Sequence, residues 1–474
     1  MVVSELQRSA ASAGSQPDHP WAIALPPALR TWLEAAFQQL SAPICLDFWG
    51  REQLWVHCNA NEPPTLTLQI RHPGIVRSLL MRRDPLVLVE GYLNGDCDFV
   101  GDLETLIMAM QQLGRVPIPL NLATLQAARA ALSLPSLKTQ LSSSLEKTRH
   151  TPEQDRAAIH HHYDMGNDFY QLWLDPQMVY SCAYFEDEQM SLAEAQAAKL
   201  DLICRKLRLS PGETLLDIGC GWGALLRWAV ERYGVHGFGI TLSQAQLDYN
   251  RAKIVEAGLE NRLRVELMDY RDLPQTPTFD KIVSVGMVEH VGRRNLPVYF
   301  QSIGRSLKPG GLFLNHGITA STEWNGSSLG ERFINRYIFP HGELVRLSTI
   351  LEAAESAGWE VVDVDAWRLH YAKTLRCWEA NLQNAAAQAE RLLGEAMLKR
   401  KQETNEQENH GRSPEILSAV PESEPHRYLQ LWRAYLLGSA LGFEKNQMGL
   451  YQTLLRPKAD TSWNLPLTRS GWLV

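Results

Sequence analysis

The run Asp217-Ile218-Gly219-Cys220-Gly221-Trp222-Gly223 constrains this chain more than any other segment. It follows a short apolar stretch, TLLDI, and opens into ALLRWAVERY, which has helical spacing. A strand that turns through glycines into a helix lets a ligand approach the main chain, because positions 219, 221 and 223 carry no side chain. Dinucleotides use a related turn, but their fingerprint is GxGxxG, and the order here is DxGxGxG. Asp217 is the residue type that holds an ammonium group. A tight turn with no ligand is the plainer alternative.

The flanking residues extend the pattern. VHGFGI reads as a second strand and SQAQLDYNRAKIVEAG as a second helix with Ser243 as its N-cap. RLRVEL, KIVSV and GLFLNH read as further strands, and the helix PVYFQSIGRSL stops at KPGG. Residues 211–316 thus alternate as a doubly wound α/β sheet does. At 474 residues the chain is too long for one ordinary domain. Residues 1–20 are small and polar and read as a disordered N-terminus, and 21–133 read as a smaller α+β domain. In that domain LPPALRTWLEAAFQQL is a helix entered through proline, and ICLDFWG, LWVHC and TLTLQI are strands. GYLNGDCDFVGDLETLIMAM is a turn followed by a helix with an acidic first turn. Residues 134–156 read as a polar linker and 157–474 as the larger domain, with a mobile polar insertion at about 399–426. A helix and a strand are expected to follow it.

Composition excludes several classes. A net charge of -7 argues against nucleic acid as partner. Seven cysteines without a CxxC pair argue against a disulfide framework or a metal site, and point to a reducing cytoplasm. No apolar signal core and no span of roughly 18–20 apolar residues is seen, so any membrane contact would be made from the membrane surface.

The glycine run resembles the first motif of class I S-adenosylmethionine-dependent methyltransferases. Many of those end the second strand with an acid for the ribose, whereas this strand runs Gly239-Ile240-Thr241-Leu242-Ser243. A narrower resemblance accounts for the departure. HHYDMGNDFYQLWLDPQMVYSCAYF, LDIGCGWGALLRWA, GITLSQAQ, VGMVEHVG, NRYIFPHGEL and LHYAKTLRCW are similar, in order, to blocks of the cyclopropane-fatty-acyl-phospholipid synthases and the related mycolic acid cyclopropane synthases. The resemblance covers roughly residues 150–456, with a weaker trace in GYLNGDCDFVGDLETL.

It implies a Rossmann-like, seven-stranded, mostly parallel sheet. It also implies cofactor contacts at Tyr180, Ser181, Asp217, Gly219, Gly221, Gly223, Thr241, Leu242 and Gln246, and in MDYRDL at Asp269 and Tyr270. The implied reaction moves a methylene from S-adenosylmethionine to a cis double bond of an unsaturated phospholipid acyl chain. The sulfonium methyl is electrophilic, the alkene is a weak nucleophile, and a cation forms on the acyl chain. The site must then be dry and must hold a base near the new methyl.

In the family the base is a bound bicarbonate, and the resemblance places its ligands at Cys182, Glu289, His316, Ile318 and Tyr371. His and Tyr side chains and the backbone N–H groups at 182 and 318 are donors for an oxyanion. Glu289 would accept the hydroxyl hydrogen of bicarbonate or pair with a His316 imidazolium. Singly, each has a plainer reading: Cys182 as core, His316 as a satisfied structural histidine, Glu289 as a helix cap.

Other features are less directed. His160, His161 and His162 are adjacent and cannot easily share one ion, which favours a structural or substrate-side role, with His162 in the family's motif. Phe333, Tyr337 and Phe339 are candidates for the apolar mouth of an acyl site, or ordinary core. Ser439 stands where many family members carry a cysteine. Arg71, Arg77, Arg82 and Arg83 make either a basic face for anionic headgroups or a solvated helix face. The resemblance also implies a homodimer, attached peripherally to the inner face of the membrane. Loss of a different proton from the same cation would instead give a methyl or methylene branch. A lipid-binding protein on a decayed enzyme would show damage in the glycine run or the bicarbonate set, and neither is damaged.

Overall fold

The computed structural model describes residues 21–471 except 60, 118–120, 138–150, 152–164, 323, 325, 327, 341, 410–423, 462 and 464. The expected disordered N-terminus, most of the expected linker and His160, His161 and His162 lie outside the described residues. The chain forms two compact units.

The first unit has a four-stranded sheet of order β2-β1-β3-β4. Its strands are β1 (Ile44–Phe48), β2 (Glu52–Val56), β3 (Leu66–Ile70) and β4 (Cys97–Gly101), with β1 parallel to β3 and the other pairs antiparallel. Helix α1 (Pro27–Phe37) starts at a proline and buries Leu29, Leu33 and Phe37 on one face. Helices α2 (Gly74–Arg82), α3 (Leu86–Asn94), α4 (Leu103–Leu113) and α5 (Leu122–Ala131) complete the unit. Asp102 caps α4 by accepting from the Thr105 N–H at 2.8 Å. Leu134, at the head of the expected linker, is buried in this unit's core.

The basic cluster is partly spent internally. Arg71 pairs with Asp98 at 2.8 Å, and Arg77 donates to the Leu134 carbonyl at 2.8 Å.

The second unit is built on a seven-stranded sheet of order β10-β11-β9-β8-β5-β6-β7. Its strands are β5 (Thr214–Ile218), β6 (His236–Thr241), β7 (Leu263–Leu267), β8 (Phe279–Val285), β9 (Leu307–Ala320), β10 (Trp359–Ala366) and β11 (Met448–Pro457). All pairs are parallel except those of β11, which runs against both β9 and β10. The chain leaves β5 toward β6 and β7, then returns to lay β8 and β9 on the other side. That reversal opens a crevice at the strand ends, where ligands of such sheets bind. KPGG does end the preceding helix, but it is absorbed into the start of β9. There the β8–β9 register shifts between Phe279 and Lys281, and Gly310 takes φ +77.

The glycine run is braced from three sides. The N–H groups of Gly219 and Cys220 donate to the Ile240 carbonyl at the end of β6, at 2.9 and 3.0 Å. Asn250, on helix α6 (Gln244–Glu256), donates to the Gly221 carbonyl at 2.8 Å. Trp222 donates to Asn167 Oδ1 at 2.8 Å. Ser243 caps this helix as expected, accepting from the Gln246 N–H at 3.3 Å. The polar tract expected to be a mobile insertion begins as helix, since α7 runs Ala386–Asn409, and the rest of the tract to 423 lies outside the described residues. Helix α8 (Pro425–Glu444) leads into β11, as the late helix-and-strand reading expects.

Gly223 and Gly221 separate two costs. A Cβ at Gly223 would lie 1.8 Å from Asn250 Oδ1 at φ +76, whereas at Gly221, with φ +54, it would meet open space. Gly223→Ala is expected to cost about 2–3 kcal/mol and Gly221→Ala about 1 kcal/mol. Urea midpoints of the two variants measure the difference, and equal midpoints would contradict the bracing role of Asn250.

Candidate functional site

Two cavities lie side by side in the second unit, sharing a wall of Tyr180, Ser181, Gly286 and His290. The first occupies the crevice at the ends of β5, β6 and β8. It is lined by Tyr180, Ser181, Asp217, Gly219, Gly221, Gly223, Thr241, Leu242, Gln246 and Tyr270, all expected from the sequence. Asp269 is the exception. Its carboxylate turns back to accept from the Arg271 N–H at 2.9 Å, capping a short turn, and Met268 with Tyr270 lines the cavity instead. Thr241, where an acid would otherwise stand, donates to Gln246 Oε1 at 2.7 Å.

Asp217 is 3% exposed, and one of its oxygens, Oδ1, has no hydrogen-bond partner among the described residues. Burial pushes its pKa up to about 7, with Lys199 opposing the shift. Lys199 lines the same cavity and is equally hidden, at 2% exposed. It lies on a helix that the sequence reading passed over, Leu192–Lys206, which opens with a capping box between Ser191 and Glu194.

The second cavity brings together Cys182, Glu289, His316, Ile318 and Tyr371, drawn from four separate segments, with His316 and Ile318 both on β9. Its other walls are mainly apolar and include Ile334, Phe339, Leu375, Phe443, Met448 and Leu450. Phe339 lines it as expected. Phe333 and Tyr337 do not, and their rings pack against each other at 5.5 Å. Ser439 and Tyr435 are also in the wall, and the Tyr435 hydroxyl meets that of Tyr180 at 3.2 Å.

Local bonds fix these side chains. Asp175 accepts from the N–H groups of Gln177 and Val179, and Gln196 donates to the carbonyls of Val179 and Ser181, so residues 175–182 hold one shape. Cys182 is 1% exposed, and burial raises its pKa, so it is a thiol. Glu289 Oε1 accepts from the Ile318 N–H at 2.7 Å. That N–H, expected to be an anion donor, is therefore engaged by Glu289, and it fastens the carboxylate to β9. Glu289 Oε2 is buried without a partner, and burial raises the group to about 7.

His316 is set by a chain of donors. Lys206 can only donate, and it does so to Asp365 at 2.6 Å and to Gln452 Oε1 at 2.8 Å. The Gln452 amide must therefore turn its NH2 toward His316 Nδ1, 3.1 Å away. The imidazole then carries its proton on Nε2, which is buried and has no partner among the described residues. Burial, with Lys199 and Lys206 nearby, holds His316 well below its usual pKa. The expected pairing of Glu289 with a His316 imidazolium is thus corrected: the ring is neutral. Among the described residues the cavity holds one unpartnered acceptor, Glu289 Oε2, and two unpartnered donors, His316 Nε2–H and Trp324 Nε1–H. Among the described residues no His, Cys, Asp or Glu cluster could hold a metal.

The sequence profile described as mycolic acid cyclopropane synthetase matches residues 150–403. A probable fatty acid methyltransferase of Pseudomonas putida is 38% identical over 444 residues, covering 92% of this chain and 98% of that protein. Cyclopropane mycolic acid synthase 3 of Mycobacterium tuberculosis is 41% identical over 240 residues, 48% of this chain and 83% of that one. A mycolic acid cyclopropane synthase solved with S-adenosylhomocysteine (SAH) and CTAB superimposes with TM-score 0.52 at 32% identity, covering 66% of this chain and 99% of that structure.

Glu289 gives a pH test. Its pKa is 4.5 ordinarily and about 7 in the fold, so burial costs nothing while both states are protonated. The penalty grows as pH rises through this window and is complete above about 7, reaching about 3 kcal/mol. Glu289→Gln removes it, so the variant should exceed the parent by about that amount at pH 8 and by little at pH 5. Urea unfolding at the two pH values reads the difference, and an advantage independent of pH would contradict the assignment.

Proposed function

Because the chain belongs to the mycolic acid cyclopropane synthetase family, a family of S-adenosylmethionine-dependent methyltransferases, we propose that it builds cyclopropane rings on the cis double bonds of unsaturated phospholipid acyl chains. The observation that carries this reading is the shared wall. A polar crevice with a glycine cradle and an apolar cavity with an unpartnered acceptor and unpartnered donors meet at Tyr180, Ser181, Gly286 and His290.

The residues fit the two small groups the family implies. The glycine run and the unpartnered Asp217 oxygen suit S-adenosylmethionine, with Thr241, Leu242, Gln246 and Tyr270 on the nucleoside side. When bound, it supplies an electrophilic sulfonium methyl. Glu289 Oε2 and His316 Nε2–H suit bicarbonate, whose hydroxyl needs an acceptor and whose charged oxygens need donors. Tyr371 and the Cys182 thiol stand on the same cavity.

Each side chain then has a task. Ile334, Leu375, Phe443 and Leu450 take the acyl chain and keep water from a cation forming on it. Tyr180, Tyr371, Tyr435 and Phe443 present electron-rich rings that stabilise positive charge without attacking it. Glu289 and His316 hold the base where the departing proton is. No helix among the described residues is long and apolar enough to cross a membrane, so the lipid would be met at the membrane surface, with the first unit as docking element. Attachment to the cytoplasmic face and a homodimer complete the proposal. The name of the Pseudomonas putida relative supports a second reading, a methyl or methylene branch formed from the same cation by loss of a different proton.

The base set is tested with purified protein, S-adenosylmethionine and unsaturated phospholipid vesicles. Modified lipid should form faster with bicarbonate than in buffer stripped of carbon dioxide. Glu289→Gln should lower the rate on the order of 100-fold or more. A normal rate in that variant would overturn the base assignment.

A further inference from the structure

Lys199 is a buried cation that none of these roles uses. Its ammonium has three donors, and among the described residues it makes one hydrogen bond, to Ser181 Oγ at 2.8 Å. No ion pair to it is formed among the described residues. Asp217 lines the same cavity with an unpartnered oxygen, and the two opposite charges influence each other without bridging. Buried charges are costly unless they find partners. Two of opposite sign, facing one cavity and left apart, form a receptor for a zwitterion. The S-adenosylmethionine site proposed for this cavity, on which a ligand for Lys199 depends, supplies one: an amino-acid end with an ammonium and a carboxylate.

Ser181 sharpens the point. With an ammonium on one lone pair of its hydroxyl, the hydroxyl hydrogen is left to donate into the cavity. Gln196, one turn before Lys199 on the same helix, donates to the Ser181 carbonyl at 2.8 Å and so holds the serine in place. We propose that Lys199, acting with the Ser181 hydroxyl, binds the α-carboxylate of the cofactor's amino-acid end, while Asp217 takes its α-ammonium. Binding completes the partners of both buried charges. Burial lowers Lys199 to about 8, and Cys182, Asp175 and Asp217 work against that fall, so it is still charged at neutral pH. This assigns the cation to the amino-acid end and leaves the nucleoside end to the residues after β6.

The test is a thermodynamic cycle read by calorimetric binding, without turnover. SAH and its decarboxylated analogue, which keeps the ammonium and the nucleoside, are titrated into the parent and into Lys199→Met. In the parent, loss of the carboxylate should weaken binding about 30-fold or more; in Lys199→Met the two ligands should differ by less than about 3-fold. A lysine that only staples Ser181 would weaken both ligands alike and leave their ratio unchanged, which would overturn the proposal. A parent ratio near one overturns it without recourse to the variant. A parent that binds neither ligand removes the cofactor site itself, a failure distinct from that of Lys199 alone.

Discussion

Among the ionisable side chains kept from water in the second unit, four that face the cavities carry the site, which depends on how each is left incompletely partnered. Asp217, Lys199, Glu289 and His316 are all 8% exposed or less. A fold that only needed stability would have closed these groups on one another or replaced them with apolar ones. Here Lys199 reaches Ser181, Glu289 reaches the Ile318 N–H, and His316 accepts from Gln452. Each keeps further bonding capacity toward a cavity. Their position follows from the sheet: Asp217 ends β5, Glu289 follows β8, and His316 sits in β9, three neighbouring strands on the side of the reversal.

The same arrangement suits the proposed reaction, in which two unlike ligands meet. Polar demands cluster on the crevice side and apolar walls on the other, and the partition between them is only four residues wide. Residues 175–182 carry half of that partition. They are irregular backbone, yet Asp175 and Gln196 bond them into one shape, Thr374 accepts from the N–H of Ala183 just after them, and Met178 is held at φ +62. Such bracing lets irregular backbone place reacting groups with the precision of a strand.

Much of this was legible in the sequence, for identifiable reasons. The glycine run, the alternation over 211–316 and the Ser243 cap are local signals, and β5, β6 and the Gln244–Glu256 helix follow them. The set Cys182, Glu289, His316, Ile318 and Tyr371 came from resemblance alone, since nothing local brings four distant segments together. The helix Leu192–Lys206 was missed although Ser191-Leu192-Ala193-Glu194 is a capping-box sequence and the buried residues after it recur at helical spacing. Lys199 and Lys206 stand on its buried face, and a lysine there is the sequence signal that could have found both. The tautomer of His316 was beyond reach, because it depends on Lys206 and Gln452, far off along the chain on either side. Asp269 is not among the residues that line the crevice, because its carboxylate has a nearer N–H to cap.

In the proposed reaction a methyl carbon passes the wall at Tyr180 and Ser181 into a lipid double bond and is retained there as a ring. Product analysis by NMR after incubation with S-adenosylmethionine labelled with carbon-13 at the methyl, and vesicles of cis-unsaturated phospholipid, tests it most directly. The expected product carries the label in a ring CH2 with upfield cyclopropyl protons. Label confined to a methyl or methylene branch, or absent from the lipid, would contradict it.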